Sequence, residues 1–261
     1  MKLYTKENLI TEFKKIARQG WIENNRKGNA GGIGNTLEDL LGIEENNLPI
    51  PNAAEWELKA QRINTTSLTT LFHIEPSPRA IKFVPQVLLL NYGWKHQEAG
   101  KKYSENEMSF RQTIHGNSAS DRGFMVKIDR ENKKVLVSFD YTKVADIHKN
   151  WLKDVEKKIG LGELNPQPYW GFDDLANKAG TKLLNCFYVQ AEVKKEDEIE
   201  FYKYSKVMML QKFSFDGFLH ELETGNILVD FDARTGHNHG TKFRLRQNCF
   251  PNLYEKATII M

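Results

Sequence analysis

Glu57-Leu58-Lys59, at the end of the run 49–59, is the stretch of this chain best suited to chemistry. Two residues apart on an extended strand, the Glu57 carboxylate and the Lys59 ammonium face the same side. Hydrolysis of a phosphodiester asks for such a pair. Carboxylate oxygens hold a hard divalent cation, and an amine beside them steadies or deprotonates the attacking water. Glu and Lys also share solvated strands, so the spacing alone does not define a nuclease and the surroundings must decide. A cation held by two carboxylates is bound far better than one held by a single carboxylate. The place for that second oxygen ligand, a few residues before Glu57, holds Asn52. Glu38, in Asn35-Thr36-Leu37-Glu38, has two readings: a capping box with Asn35 as N-cap, or a carboxylate brought beside the metal cluster by a closely packed helix. Gln61 and Arg62 follow the pair, either near the scissile phosphate or at a solvated strand end.

The elements around these residues are legible in outline. Leu9, Phe13 and Ile16 predict a helix over 5–18, stopped by Gly20. Arg26-Lys27-Gly28-Asn29-Ala30-Gly31-Gly32-Ile33-Gly34 is a basic glycine-rich loop. Without a following Gly-Lys-Ser/Thr or a clear preceding strand it is not a P-loop. A short helix is expected from Asn35 or Thr36, carrying Leu37, Leu40 and Leu41. Strands are expected at 55–60, entered through Pro49 and Pro51, and at 69–74. A helix or buried segment follows at 81–90, then a polar loop at 93–107. Residues 124–128 and 133–140 read as a hairpin around Arg130-Glu131-Asn132. Asn165-Pro166-Gln167-Pro168 is the best linker candidate, followed by a short helix at 172–178. Strands at 183–193 and 198–210 come next, then an amphipathic helix, Phe215–Glu223, closed by Gly225. Short strands at 227–233, 242–246 and 257–260 finish the chain. Strands and helices without strict alternation imply a mixed α/β fold with a central sheet.

Composition bounds the rest. The chain has 261 residues, 40% hydrophobic and 27% charged, as in an ordinary globular protein. No apolar run approaches the roughly 18 residues that span a bilayer, so no membrane role is expected. The N-terminal Met1-Lys2-Leu3-Tyr4 lacks the apolar core of a signal peptide, and a cytoplasmic location is the default expectation. Cys186 and Cys249, the only cysteines, form neither a disulfide framework nor a metal spacing. A net charge of +3 argues nothing about nucleic acid by itself; the distribution of charge must do so.

That distribution is densest in Asp230-Phe231-Asp232-Ala233-Arg234-Thr235-Gly236-His237-Asn238-His239-Gly240-Thr241-Lys242-Phe243-Arg244-Leu245-Arg246. Arg pairs two-pronged with guanine, Asp accepts from cytosine, and His and Asn supply both donors and acceptors. Strand alternation puts Lys242, Arg244 and Arg246 on one face and Phe243 and Leu245 on the other. A solvated basic face on a half-buried hairpin would show the same pattern. The letters His-Asn-His are no sign of the zinc-using HNH nucleases, whose motif residues are widely spaced.

The order of glycine-rich loop, helix with Leu37-Glu38, then Pro51-Asn52, four residues and Glu57-Leu58-Lys59 resembles the PD-(D/E)XK nucleases. Within them it resembles the MutH-like branch, and specifically the MvaI/BcnI group of type II restriction endonucleases. The likeness runs through Arg26-Lys27-Gly28-Asn29, the segment 32–41, Ser67-Leu68-Thr69-Thr70-Leu71-Phe72, Tyr202-Lys203-Tyr204 and His237-Asn238-His239-Gly240-Thr241-Lys242-Phe243-Arg244, with a less similar middle.

The resemblance implies a central mixed sheet flanked by helices and two lobes around a DNA cleft, with 1–164 mainly catalytic and 165–261 mainly recognition. It implies Mg²⁺-dependent cutting of duplex DNA at a CC-N-GG-like site by a monomer that nicks one strand and then the other. A cognate DNA methyltransferase would act on the same site without being a bound partner. Glu57, Asn52 and the Leu58 carbonyl become metal ligands, Lys59 orients the water and Glu38 supports the cluster. Arg244 is the first candidate for a guanine contact. His237, Asn238, His239, Asp230, Arg234 and Lys242 join it in the major groove, His73 either approaches the minor groove or the active site or is a satisfied structural residue, and Arg26 and Lys27 contact phosphates. One departure matters: the family pattern has aspartate where this chain has Asn52. An amide oxygen brings no negative charge, so weak metal binding and slow or absent cutting are expected. Glu55 faces the same side as Glu57 but out of register to replace the aspartate. Asn238 stands where one relative carries an acid. The alternatives are a mismatch-repair nickase of the MutH type and a catalytically silent DNA-binding protein.

Overall fold

The computed structural model describes residues 4–24, 32–43, 56–63 and 67–261. Six α-helices occur among them: α1 (Lys6–Arg18), α2 (Gly32–Leu41), α3 (Leu89–Tyr92), α4 (Lys149–Ile159), α5 (Phe172–Leu183) and α6 (Phe215–Glu223). The strands up to the middle of the chain are β1 (Ile22–Glu23), β2 (Glu57–Arg62), β3 (Leu68–His73), β4 (Trp94–Lys95), β5 (Met108–Ile114), β6 (Arg122–Asp129) and β7 (Lys134–Val144). After them come β8 (Tyr169–Gly171), β9 (Asn185–Glu196), β10 (Ile199–Phe213), β11 (Ile227–Arg234), β12 (His237–Arg246) and β13 (Tyr254–Ile259). No helix among the described residues is long and apolar enough to cross a membrane.

The chain forms two compact units that interleave in sequence. One comprises Met1–Ser67, Ala179–Phe215 and Phe250–Met261; the other comprises Leu68–Lys178 and Asp216–Cys249. Each draws residues from both sides of position 164.

In the first unit a mixed sheet runs β1-β10-β9-β2, with β13 also paired to β10. Strand β2 lies parallel to β9, and the other pairs are antiparallel. Leu58, Phe187, Val189 and Ala191 point to one face, where Leu9, Phe13 and Ile16 of α1 and Ile33, Leu37 and Leu41 of α2 close over them. Phe13 and Trp56 sit on the Phe187 ring at 5.2 and 4.6 Å. Helix α1 forms as expected: Thr5 caps Asn8 N–H at 3.2 Å, and Gly20 leaves the helix with φ +74°.

Helix α2 begins at Gly32, earlier than the spacing of its leucines suggested. Asn35 and Glu38 therefore lie inside the helix, and the capping-box reading fails. A Cβ at Gly32 would collide with the Tyr202 hydroxyl and the Asn24 amide, so the helix starts where only glycine lets it approach the sheet. The Tyr204 hydroxyl then fixes the first turn by donating to Ile33 O at 2.8 Å.

The second unit holds an antiparallel sheet, β3-β12-β11-β5-β4, and a three-stranded sheet, β6-β7-β8. Phe243 stacks on Phe72 at 5.2 Å and meets Phe218 at 5.8 Å and Trp170 at 5.1 Å. Phe110, Phe124, Phe139 and Tyr92 form a second aromatic group.

Several expectations are corrected here. Asn165–Pro168 is no linker, because Val137 N–H donates to Pro168 O at 2.9 Å and the Gln167 side chain donates to Val137 O. Residues 81–90, expected as a helix or a buried segment, hold a π-helical turn at Val84–Leu88, with Pro85 in its first turn, that runs into α3, and Phe83, Val84, Leu88 and Leu89 are buried. The stretch 93–107 contains the short strand β4, and β5, directly after it, was not foreseen.

Candidate active site and recognition face

On β2 the alternation that sends Leu58 into the core turns Glu57, Lys59 and Gln61 to the opposite face. The parallel register sets Glu57 beside Cys186, Lys59 beside Tyr188 and Gln61 beside Gln190. Glu57 is 2% exposed, and its Oε1 pairs with Lys59 Nζ at 2.7 Å. Its Oε2 is buried with no hydrogen-bond partner among the described residues. A buried carboxylate oxygen without a donor costs several kcal/mol unless a cation or proton meets it. Hard oxygen of this kind suits a divalent cation of the Mg²⁺ or Ca²⁺ type. Beside Glu57, burial holds the Cys186 thiol well above the ordinary range, with Lys59 opposing and Glu57 adding to the shift. Burial, followed by Cys186 and Glu57, likewise keeps the Tyr254 phenol protonated.

The residues around the pair divide. Gln61 is buried, 5% exposed, and is no solvated strand end; its Oε1 accepts from the Tyr188 hydroxyl at 2.6 Å. Arg62, on the other face, is bound to Glu200 at 2.9 Å, and Tyr202 donates to the same carboxylate. Leu58 offers only its carbonyl, since its side chain is in the core. Glu38 is half-buried in α2, which packs against β2. Asn52 and Glu55, and with them the second ligand position, lie outside the described residues, as do Arg26 and Lys27. Among the described residues no group of three or more His, Cys, Asp or Glu side chains gathers.

The second unit carries the other expected cluster. Strand β12 begins at His237, so His237, Asn238 and His239 are its exposed start beyond the turn at Gly236, φ +68°. The two His rings meet at 4.8 Å. Phe243 and Leu245 are buried as expected, and Lys242 and Arg244 face outward. Arg244 Nη1 meets Asp230 Oδ2 at 3.2 Å, and Thr113 Oγ1 donates to Asp230 Oδ1 at 2.6 Å. Arg244 Nε is buried without a partner. Lys242 and Arg111 flank Asp232 at 4.0 and 3.7 Å. His73 lies beside Lys242 in the β3–β12 register. Arg234, beside the turn of the hairpin, pairs with Glu107, 7% exposed, at 2.9 Å and lies 4.6 Å from the Tyr103 ring centroid, which ties it to the segment before β5.

Sequence reasoning missed Arg111 and Thr113. Their signal was present, because β5 alternates Ser109, Arg111 and Thr113 with the buried Phe110 and Ile114. Together with Asp230 and Arg244 they line a polar cavity of about 770 Å³, completed by Trp94, His96, Lys102 and Tyr103.

A mixed sheet with an acid–amine pair on one strand, and a separate face of paired arginine and aspartate able to read base edges, define a site-specific deoxyribonuclease of the type II restriction class. The chain matches the MvaI/BcnI restriction endonuclease family over residues 10–254, and it belongs to that family. Among solved structures it is similar to a restriction endonuclease MvaI–cognate DNA substrate complex, at 26% identity and TM-score 0.75, covering 99% of this chain and 100% of that one. It is also similar to MvaI in the absence of DNA, at 26% identity and TM-score 0.59, covering 100% of both chains. No curated protein matches.

Proposed function

We propose that this chain is a Mg²⁺-dependent restriction endonuclease of the MutH-like PD-(D/E)XK type, acting on a short CC-N-GG-like duplex site. The observation that carries the metal assignment is the buried, unpartnered Oε2 of Glu57 beside an Oε1 held by Lys59. Glu57, the Leu58 carbonyl and Asn52 would hold the cation, with Glu38 in support. When bound, it supplies Lewis acidity to the attacking water and offsets charge on the phosphate. Lys59, paired with the carboxylate, orients the water for in-line attack, which leaves 5′-phosphate and 3′-hydroxyl ends. The first unit supplies this chemistry and the second reads the site. Arg244 contacts a guanine, Asp230 accepts from a cytosine, and His237, Asn238, His239, Lys242 and His73 contribute around them. Arg26 and Lys27 contact phosphates. The enzyme acts as a monomer that cuts the strands in turn, in the cytoplasm, where a methyltransferase of the same specificity protects the host site.

Asn52 sets the rate. With one charged ligand fewer, the chain binds its site but cuts slowly or not at all. Gel-shift and plasmid-cleavage assays in Mg²⁺, comparing the chain with its Asn52→Asp form, test this. Both should bind and only the aspartate form should cut efficiently. Equal cleavage by the two refutes the role of Asn52, nicking only with added partner proteins favours a repair nickase, and no sequence-specific binding by either form refutes the whole assignment.

A further inference from the structure

Gln61 carries a second unsatisfied polar group on the same strand face as Glu57. The Tyr188 phenol is raised to about 12 by burial and stays neutral, and a hydrogen bond from the Gln190 side chain occupies its oxygen. Its hydrogen therefore goes to Gln61 Oε1, at 2.6 Å. This fixes the Gln61 amide with its NH₂ turned away from Tyr188, and Nε2 is buried with no partner among the described residues. A buried amide donor left unpaired costs about 1–3 kcal/mol, and a fold keeps such a group where a ligand completes it. Two residues along a strand advance about 6.6 Å, so Gln61 stands one such step beyond Lys59 and two beyond Glu57, in line with both. That step exceeds the reach of one phosphate group and matches the advance to its neighbour on a nucleic-acid backbone.

We propose that Gln61 is a DNA-contacting residue whose Nε2 donates to a non-bridging oxygen of the phosphate adjoining the scissile one. The contact rests on the nuclease assignment of Glu57 and Lys59 and adds a backbone clamp to it. It holds the strand in register, so that the scissile phosphorus lies over the acid–amine pair. Tyr188 is the positioning residue behind it.

Ethylation interference tests this in Ca²⁺, with a duplex bearing CCNGG sites as the probe and the chain as it stands. Randomly ethylated phosphates that block binding mark the contacts. Gln61→Leu should lose interference at one phosphate, next to the mapped cut of the Asn52→Asp form, keep it elsewhere, and bind about fivefold more weakly, the worth of one hydrogen bond. An unchanged interference pattern in Gln61→Leu overturns the contact while leaving the nuclease assignment intact. No footprint from the unsubstituted chain overturns both. If Gln61→Leu loses every contact, Tyr188→Phe, which keeps the amide but frees its orientation, decides. Weakening at that one phosphate supports the contact, and a uniform effect refutes it.

Discussion

Replacing Lys59 with methionine isolates the buried charge of Glu57. The pair is close, at 2.7 Å, and the carboxylate is almost wholly enclosed, while the lysine side chain keeps 20% of its exposure. Removing one partner of a buried pair costs about 3–5 kcal/mol because the remaining charge is uncompensated. The partial exposure of Lys59 places the expected loss near 3 kcal/mol without metal. At an m-value of about 3 kcal/mol per M, that is a fall of roughly 1 M in the urea midpoint of the transition that includes β2. Divalent metal should narrow the gap between the two proteins. Lys59 Nζ occupies Oε1 and repels a cation, so Lys59→Met frees both carboxylate oxygens and should gain more stability from added Mg²⁺ or Ca²⁺ than the parent gains. Glu57→Gln, with no carboxylate, should gain none. Urea titrations of the three proteins with and without metal measure all of this. Equal metal stabilisation of parent and Glu57→Gln would falsify the assignment of Glu57 as a ligand. A Lys59→Met protein as stable as the parent in chelator would show that the pair is not a buried charge couple.

Arg244→Ala should lose about 1–3 kcal/mol of discrimination at a single guanine, read by competition binding against each base at every site position; unchanged preference removes Arg244 from the recognition set. Stability should fall between about pH 10 and pH 12, because the unfolded chain releases the Tyr188 proton near 10 while the folded chain holds it to about 12 and so binds more protons over that interval. Tyr188→Phe should flatten this part of the pH–stability curve, and an unaltered slope contradicts the burial argument. Gly32→Ala should cost about 1–3 kcal/mol as the new methyl group strikes the Tyr202 hydroxyl and the Asn24 amide. A melting temperature equal to the parent's would show that α2 has room to shift.

The parts of this molecule that announce themselves in sequence are those with local causes. Leu9, Phe13 and Ile16 repeat at helical spacing, and α1 follows with its Thr5 cap. Arg130-Glu131-Asn132 separates two apolar runs, and β6 and β7 pair around it. The acid–amine spacing of Glu57 and Lys59 is equally local, and one strand delivers both to the same face. What escaped notice depends on partners distant in sequence. Gly32 begins α2 because of Tyr202, and Thr113 enters the recognition face only through Asp230, 117 residues away. Arg234, expected among the base readers, is held by Glu107 and Tyr103, neither marked by any motif. The phenol that orients the Gln61 amide belongs to β9, which no pattern within 57–62 foretells.

The pairing of Arg244 with Asp230, and of Lys242 and Arg111 with Asp232, has a consequence for how target and non-target duplexes are told apart. These cations already carry protein counter-ions. A random duplex must separate each couple to reach the arginine or lysine and offers the displaced aspartate nothing in return. On the proposed reading, a matching site supplies a guanine to the arginine and a cytosine amine to the aspartate in the same step. Fewer small ions are also released than a count of basic residues suggests, so the salt dependence contributed by this face is shallow. On the proposed reading, the face thereby gives up loose adhesion to DNA in general and keeps its cations for the matching site.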